Sequence, residues 1–424
     1  MTSLHLLLWI VSGIVLQVAL YLVIGFWRHW QEYQALRSRA VEFNLPVKAP
    51  LPTAVSELAT ASWPGFRTFR VERKVTEDVA QSVCSFYLVP KDGQALPPFL
   101  PGQFLTFRLE LPTTGGTEQI IRCYSLSDAP RPDSYRVSIK RVLPPEGTQL
   151  PAGRSSSFFH DQVAVGSLLQ VRAPAGHFHI ERSDTPVVLI GGGIGITPML
   201  SMLNWCLTEQ PGREVWLFYG VRDSSELVMR SHLETLAAAH PNFHLRFCFS
   251  EPLPEESTGR DYHHAGRIAL ALLRMELAFK PYHFYICGPA PLMESLVPAL
   301  ADWGVPNAHI HFEAFGPASV VRKQAATSAA VMPRHAAEDG GIVVTFAQSG
   351  KQLPWQPTAG SLLAFAEANG IAVDSGCRAG GCGTCQTTIR AGEVAYRQPP
   401  DYDPDPGTCL LCVCAPKTSV TLEV

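Results

Sequence analysis

The sequence predicts a multidomain chain: one transmembrane helix, an antiparallel β-barrel, an α/β domain built on a parallel sheet, and a small α+β unit at the end. Three observations predict it. An uncharged apolar run stands near the start, alternating β-branched segments follow between about 64 and 182, and after about 185 short apolar strands alternate with helical stretches. The length of 424 residues is itself a prior for about three domains. With 46% apolar and 17% charged residues there is enough apolar mass for several cores, which excludes disorder as the main state. The 34 Lys and Arg against 37 Asp and Glu leave a net charge of −3, so the chain is not a general nucleic-acid binder.

From Leu4 to Trp27, 19 of 24 residues are apolar and none is charged. As a helix this stretch reaches ~36 Å, enough to cross a hydrocarbon core of ~30 Å. A cleaved signal peptide would need a basic start and a shorter apolar run, and residues 1 to 3 carry no basic side chain. Arg28, Arg37 and Arg39 follow, with only Glu32 against them, so the positive-inside rule puts the body of the protein in the cytoplasm. Residues 28–63 mix Ala, Pro and charges and read as a juxtamembrane linker.

The runs FRTFRVERKV, SVCSFYLV, FLTFRLEL and YRVSIKRV, separated by Pro/Gly clusters, make residues 64–182 the barrel. VVLIGG, VWLFYG, LRFCFS and FYICGP alternate with helical stretches over 183–315 and predict the parallel sheet. Residues 316–340 read as a second linker, and 341–424 as the α+β unit.

Six of the 11 cysteines lie between Cys377 and Cys414, a clustering that points to a cofactor rather than to disulfides. Cys377, Cys382 and Cys385 follow an x4, x2 spacing, and 26 residues separate Cys385 from Cys412. That is the plant-type arrangement for a [2Fe-2S] cluster, whereas zinc sites favour paired short spacings. Gly376, Gly380, Gly381 and Gly383 let the loop wrap tightly around two irons. Cys409, Cys412 and Cys414 all stand near enough to supply the fourth ligand. The unit resembles plant-type ferredoxins, of β-grasp fold, whose L-C-x-x-x-P pattern matches Leu411-Cys412 to Pro416. That resemblance implies Cys412, with Cys409 and Cys414 left as core thiols.

At the end of an apolar strand stands Arg122-Cys123-Tyr124-Ser125. An Arg there can pair with a diphosphate, a Tyr can cover an isoalloxazine face, and a Ser can hydrogen-bond the ring edge. Gly153-Arg154-Ser155-Ser156 then places a Gly/Ser turn at a helix start, which favours phosphate. An ordinary N-cap and a strand aromatic are the bland readings of Ser156 and Tyr124 taken singly. Downstream, Gly191 to Met199 forms a strand-to-helix turn in which Pro198 stands where a dinucleotide fingerprint has its third glycine.

In this order the motifs, with Ala173-Pro174-Ala175-Gly176 and Phe178, make residues 64–315 similar to the ferredoxin-NADP reductase superfamily, whose patterns are R-x-Y-S, G-x-x-S and G-x-G-x-x-P. The likeness is strongest to the reductase half of flavohaemoglobins. The order flavin, nicotinamide, ferredoxin also resembles phthalate dioxygenase reductase and the reductases of hybrid-cluster proteins. The resemblance implies FAD, with FMN the alternative. It places Arg122 at the flavin diphosphate, Tyr124 and Ser125 at the isoalloxazine, and Gly153 and Ser156 at the phosphate. It likewise assigns Gly193, Gly195, Thr197, Pro198, Gly288 and Pro289 to the dinucleotide, Cys287 to the nicotinamide, and Glu313 and Phe315 to the flavin side. Ser125, Cys287 and Glu313 would shape the hydride step; the plain reading of Cys287 is a small buried hydrophobe. Glu251, Glu255 and Glu256 after LRFCFS repel a 2′-phosphate and favour NADH over NADPH, against which Arg222 could argue.

The expectation is a membrane-anchored reductase carrying electrons from NADH through FAD and [2Fe-2S] to a protein acceptor in or on the membrane, such as an oxygenase or desaturase. A soluble acceptor is a second possibility. The alternative class is the electron-input subunit of an ion-pumping or quinone-reducing complex. In sodium-translocating NADH:quinone reductases the ferredoxin domain precedes the flavin domain, so the order here counts against it. Asp401, Asp403 and Asp405 could form an acidic docking patch, although such a run is more often a solvated loop.

Overall fold

A computed structural model describes Gln17, Trp63 and residues 65–144, 147–148, 151–315, 341–373, 375–376, 378, 380, 383–396, 400 and 404–424. The anchor expected over 4–27 and nearly all of the 28–63 and 316–340 linkers lie outside the described residues. Among the described residues no helix is long and apolar enough to cross a membrane.

The first six strands are β1 (Arg67–Thr76), β2 (Val83–Pro90), β3 (Phe104–Thr113), β4 (Gly116–Ser125), β5 (Tyr135–Lys140) and β6 (Leu168–Ala175), with helix α1 (Arg154–Asp161) before β6. They form one antiparallel sheet in the order β4-β3-β6-β1-β2-β5. Its two edges meet at the antiparallel bridge between Leu126 and Val137, which closes the sheet on itself. Alternation along the strands sends Phe69, Phe86, Phe107, Val137 and Val171 inward. Each buried Phe contributes about 2 kcal/mol by removal from water. Trp63 packs on this core and its indole nitrogen donates to the Val171 carbonyl at 3.1 Å, so the barrel takes in the last residue assigned to the linker.

The second body contains β7 (Val187–Gly192), α2 (Ile196–Glu209), β8 (Val215–Val221), α3 (Arg230–Ala239), β9 (Phe243–Phe249), the two-residue β10 (His264–Ala265), α4 (Leu270–Glu276), β11 (His283–Gly288), α5 (Ala290–Asp302) and β12 (Ile310–Ala314). All pairings are parallel, in the order β10-β9-β8-β7-β11-β12. Val187 and Leu189 enter one core while Val188 and Ile190 enter the other. Both faces are therefore covered, which is why these strands read as unbroken apolar runs rather than as alternation.

The last unit has β13 (Val343–Phe346), β14 (Lys351–Pro354), α6 (Leu362–Ala368), β15 (Gln386–Ala391), β16 (Val394–Tyr396), β17 (Thr408–Leu410), β18 (Cys414–Pro416) and β19 (Val420–Leu422). Its main sheet, β14-β13-β19-β15-β17, is mixed, and α6 buries Leu362, Leu363, Phe365 and Ala366 in the core beside Phe346. Ser361 caps α6 by accepting from the Ala364 amide at 3.2 Å.

Candidate functional site

The order of the parallel sheet reverses between β7 and β11, and in such sheets the crevice at the carboxyl ends of the strands on either side is where ligands settle. Register places three residues in a row there: Gly191 opposite Cys287, and Cys287 opposite Glu313. Gly193–Gly195 make a single tight turn between β7 and α2. Gly195 must lack a side chain, because a Cβ would collide with the Cys287 carbonyl and lie 2.7 Å from the Gly288 nitrogen. Two helix amino-termini, those of α2 and α5, follow the two strands, with Pro289 at the cap of α5. The positive ends of their dipoles suit a pyrophosphate. Thr197 and Pro198 are buried, and the Thr197 hydroxyl donates to the Ile194 carbonyl at 3.0 Å, so it braces the turn.

The barrel meets this crevice. The Ser125 hydroxyl, at the end of β4, donates to a Glu313 carboxylate oxygen at 3.4 Å across 188 residues. Asp128 holds the two bodies together: its carboxylate accepts from Asn204 at 2.7 Å and its carbonyl from the Ser201 hydroxyl at 2.8 Å. Backbone bonds from Met229 to Glu77 and from Ala80 to Ser225 add a second fastening. Cys287 is fully buried, and burial, with the Glu313 charge beside it, pushes its thiol well up. It is a neutral thiol of small volume rather than a nucleophile. Phe315 stands just past β12 and is 40% exposed, a large ring at the rim of the crevice.

Arg122 and Tyr124, two apart on β4, share a face. The Tyr124 ring packs edge-on to Phe107 and Phe159, and burial pushes its hydroxyl up. That hydroxyl donates to Ser155 Oγ at 3.1 Å. Ser155 was missed by the sequence reading, and Ser156 does something else. Its hydroxyl donates to the Gly153 carbonyl at 2.9 Å and accepts from the Val142 amide at 3.1 Å. With its one proton spent, Ser156 offers a phosphate only its backbone amide, whereas Ser155 keeps its proton for another acceptor. Ser155 is the second residue of α1, and nothing in the sequence marks it apart from Ser156. At the other end of α1, Lys74 Nζ donates to the carbonyls of Phe159, His160 and Val163 at 3.3, 2.7 and 2.9 Å, closing the helix terminus. Arg122 Nη1 donates to the Ile121 carbonyl at 2.7 Å.

In the last unit, antiparallel pairing of β15 with β17 sets Gln386 opposite Leu410, and the Leu411 amide donates to the Cys385 carbonyl at 3.2 Å. Cys385 and Cys412 are thus brought to the same end of two paired strands despite their separation in sequence. Cys385 is buried and Cys412 half-buried, while Cys409 and Cys414 are fully enclosed in the apolar core. Gly380 has φ +80°, and a Cβ there would stand 3.1 Å from Val413. Thiol donors at a turn that only glycine can make fit an iron–sulfide cluster. Cys377, Cys382 and Gly381 lie outside the described residues, as do Asp401 and Asp403. Asp405 is exposed and accepts from Gln386 at 2.7 Å.

Around the carboxyl ends of β8 and β9 the charges are mutually engaged. Arg222 grips Glu226, Glu256 accepts from the Ser224 and Leu253 amides at 2.9 and 2.8 Å, and Arg260 binds Asp261. The topology sets β8 beside β7, so Arg222 is nearer the crevice than Glu251 at the end of β9.

Three family models match: an oxidoreductase FAD-binding domain over residues 70–180, an oxidoreductase NAD-binding domain over 189–297 and a 2Fe-2S iron-sulfur cluster binding domain over 344–417. A flavohemoprotein of Rhizobium meliloti (strain 1021) is 40% identical over 263 residues, which are 62% of this chain and 63% of that protein. The chain thus matches somewhat less than two thirds of that relative's length. Among solved structures, the flavohem-like FAD/NAD binding domain of nitric oxide dioxygenase from Vibrio cholerae O1 biovar El Tor is 33% identical, with TM-score 0.52, over 60% of this chain and all of that one. Phthalate dioxygenase reductase, described as a modular structure for electron transfer from pyridine nucleotides to [2Fe-2S], is 25% identical, with TM-score 0.51, over 85% of this chain and 98% of that one.

Proposed function

From the premise that the chain belongs to the ferredoxin-NADP reductase superfamily, in the branch that carries a plant-type [2Fe-2S] domain, we propose that it is a membrane-anchored NADH reductase that supplies electrons to a protein acceptor at the membrane. The observation that carries the reductase reading is the meeting of Ser125 from the barrel with Glu313 from the parallel sheet, in register with Cys287 and Gly191. Bound FAD would supply the exchange between the two-electron chemistry of NADH and the one-electron chemistry of an iron–sulfur cluster. The chain's own residues do the rest. Gly193 and Gly195 let the backbone approach the dinucleotide, with Gly288 and Pro289 at the facing turn and Thr197 and Pro198 bracing the helix behind it. Cys287 keeps a neutral, compact wall at the nicotinamide, and Phe315 covers the rim. Ser125 and Glu313 hydrogen-bond at the ring edge, while Arg122, Gly153 and the first amides of α1 hold the diphosphate. Cys377, Cys382, Cys385 and Cys412 are the iron ligands of this reading, and its domain limits are 64–182, with Trp63 added to the barrel, 183–315 and 341–424.

The preference for NADH over NADPH is supported by Glu251, Glu255 and Glu256, and by the pairing of Arg222 with Glu226, with which a 2′-phosphate would have to compete. The anchor over 4–27, with the catalytic domains in the cytoplasm, rests on the apolar run and the arginines after it. Anaerobic stopped-flow mixing with NADH tests the reductase reading: bleaching of the flavin followed by bleaching of the cluster is expected. A flavin that bleaches while the cluster stays oxidised overturns it. Extraction of membranes with alkaline carbonate tests the anchor, and release of the chain into the supernatant would remove it.

A further inference from the structure

At the amino-terminal edge of the same parallel sheet, opposite the cofactor crevice, three side chains from three elements converge. His283 is the first residue of β11, His311 the second of β12, and Glu181 lies between the barrel and β7. Their ligand atoms all fall within 4.8 Å of one another. His283 Nδ1 stands 3.2 Å from His311 Nε2, while the ring's other nitrogen, Nε2, stands 3.6 Å from Glu181 Oε2; one ion takes only one of these two nitrogens, so the half-exposed carboxylate swings toward the His311 side as the ion binds. Two nitrogen ligands of a tetrahedral ion with bonds near 2.05 Å are ~3.3 Å apart, so the two rings already hold that spacing.

We propose that Glu181, His283 and His311 form a binding site for one divalent transition-metal ion of the zinc class. Two imidazoles and one carboxylate are the donor set such ions prefer, and they disfavour the all-oxygen coordination of calcium or magnesium. The side chains are held from behind. The Glu181 amide donates to Tyr285 Oη at 2.9 Å and its carbonyl accepts from Arg213 at 2.9 Å, which pins its backbone on both sides. The His311 ring lies on Tyr285 with centroids 4.4 Å apart and planes within 10°, and His309 lies on His283 at 4.2 Å. His283 is buried and the Glu181 side chain is half exposed, so the site opens to solvent on the carboxylate side for entry and for a water as fourth ligand. From His283 to Cys287 is four strand residues, ~13 Å, so the ion would be remote from the hydride chemistry.

The test is equilibrium dialysis of the full chain, with FAD and cluster loaded, against Zn2+ alone, on wild type and on Glu181→Gln and His311→Ala. One bound zinc is expected, its Kd raised more than ~10-fold by either substitution with the cluster absorption unchanged. The exposed Glu181 lets Glu181→Gln fold even where a histidine change disturbs packing. Zinc binding indifferent to both substitutions, or no binding by the loaded wild type, overturns the proposal.

Discussion

Cysteine is used in opposite ways in the parallel sheet and in the C-terminal unit. In the sheet region Cys206, Cys248 and Cys287 sit inside apolar cores, and burial pushes the first two up to about 12 and the third well up. In the C-terminal unit Cys385 and Cys412 stand just off the ends of paired strands, beside a turn that requires Gly380. If the proposed ligand set holds, the difference teaches that the backbone around a thiol, rather than the thiol itself, decides between packing and ligation. A regular strand or helix surrounds the sulfur with carbon, as it does for Cys409 and Cys414 in this same unit, whereas Cys385 and Cys412 lie where the strands have ended.

The largest effect that would break this contrast is Cys385→Ser. Loss of the visible cluster absorption and of cluster-dependent acceptor reduction is expected, while NADH-driven reduction of ferricyanide through the flavin stays within about twofold, as for distant sites that act independently. Retention of the cluster would remove Cys385 from the ligand set. Next comes Gly195→Ala, where the new methyl meets the Cys287 carbonyl. A loss of ~1–3 kcal/mol in thermal or denaturant unfolding, with weaker NADH binding, is expected from overpacking. Ser125→Ala removes the bond to Glu313 and should slow flavin reduction ~10-fold, read as the stopped-flow rate at saturating NADH.

The smallest effect is in the pH dependence of stability. A buried thiol whose folded value is raised keeps its proton after the unfolded chain has begun to release it. Its stabilisation is complete below the unfolded value of ~8.5 and is lost as pH rises toward about 12. Urea unfolding between pH 8 and 10 should show stability falling with pH, and Cys248→Ala should flatten that slope. A slope unchanged by the substitution would mean that Cys248 shares no part of it.

Strands, their two packing styles and the places of the motifs were legible in the sequence because each is a local pattern. The run VVLIGG reads as a strand with both faces buried, and β7 is that. The Arg122 to Ser125 motif ends a strand, and Gly153 precedes a helix, as their residue types require. What sequence could not give is the pairing of side chains between elements. Ser155 and Ser156 are indistinguishable as letters; only the turn of α1 decides that one hydroxyl meets Tyr124 and the other folds back on Gly153. Glu181, His283 and His311 belong to no motif, since β11, β12 and the segment before β7 come together only in the folded sheet. Trp63 looked like the end of a tether because its partner, the Val171 carbonyl, is 108 residues away.

The ammonium of Lys74 gathers three carbonyls from α1 and the loop beyond it, yet Lys74 itself belongs to β1 on the barrel wall. One nitrogen therefore works as a hinge pin in reverse. It ties the carboxyl end of the helix that faces Tyr124 to a strand of the barrel wall, so a tilt of that helix away from the wall would cost those three bonds.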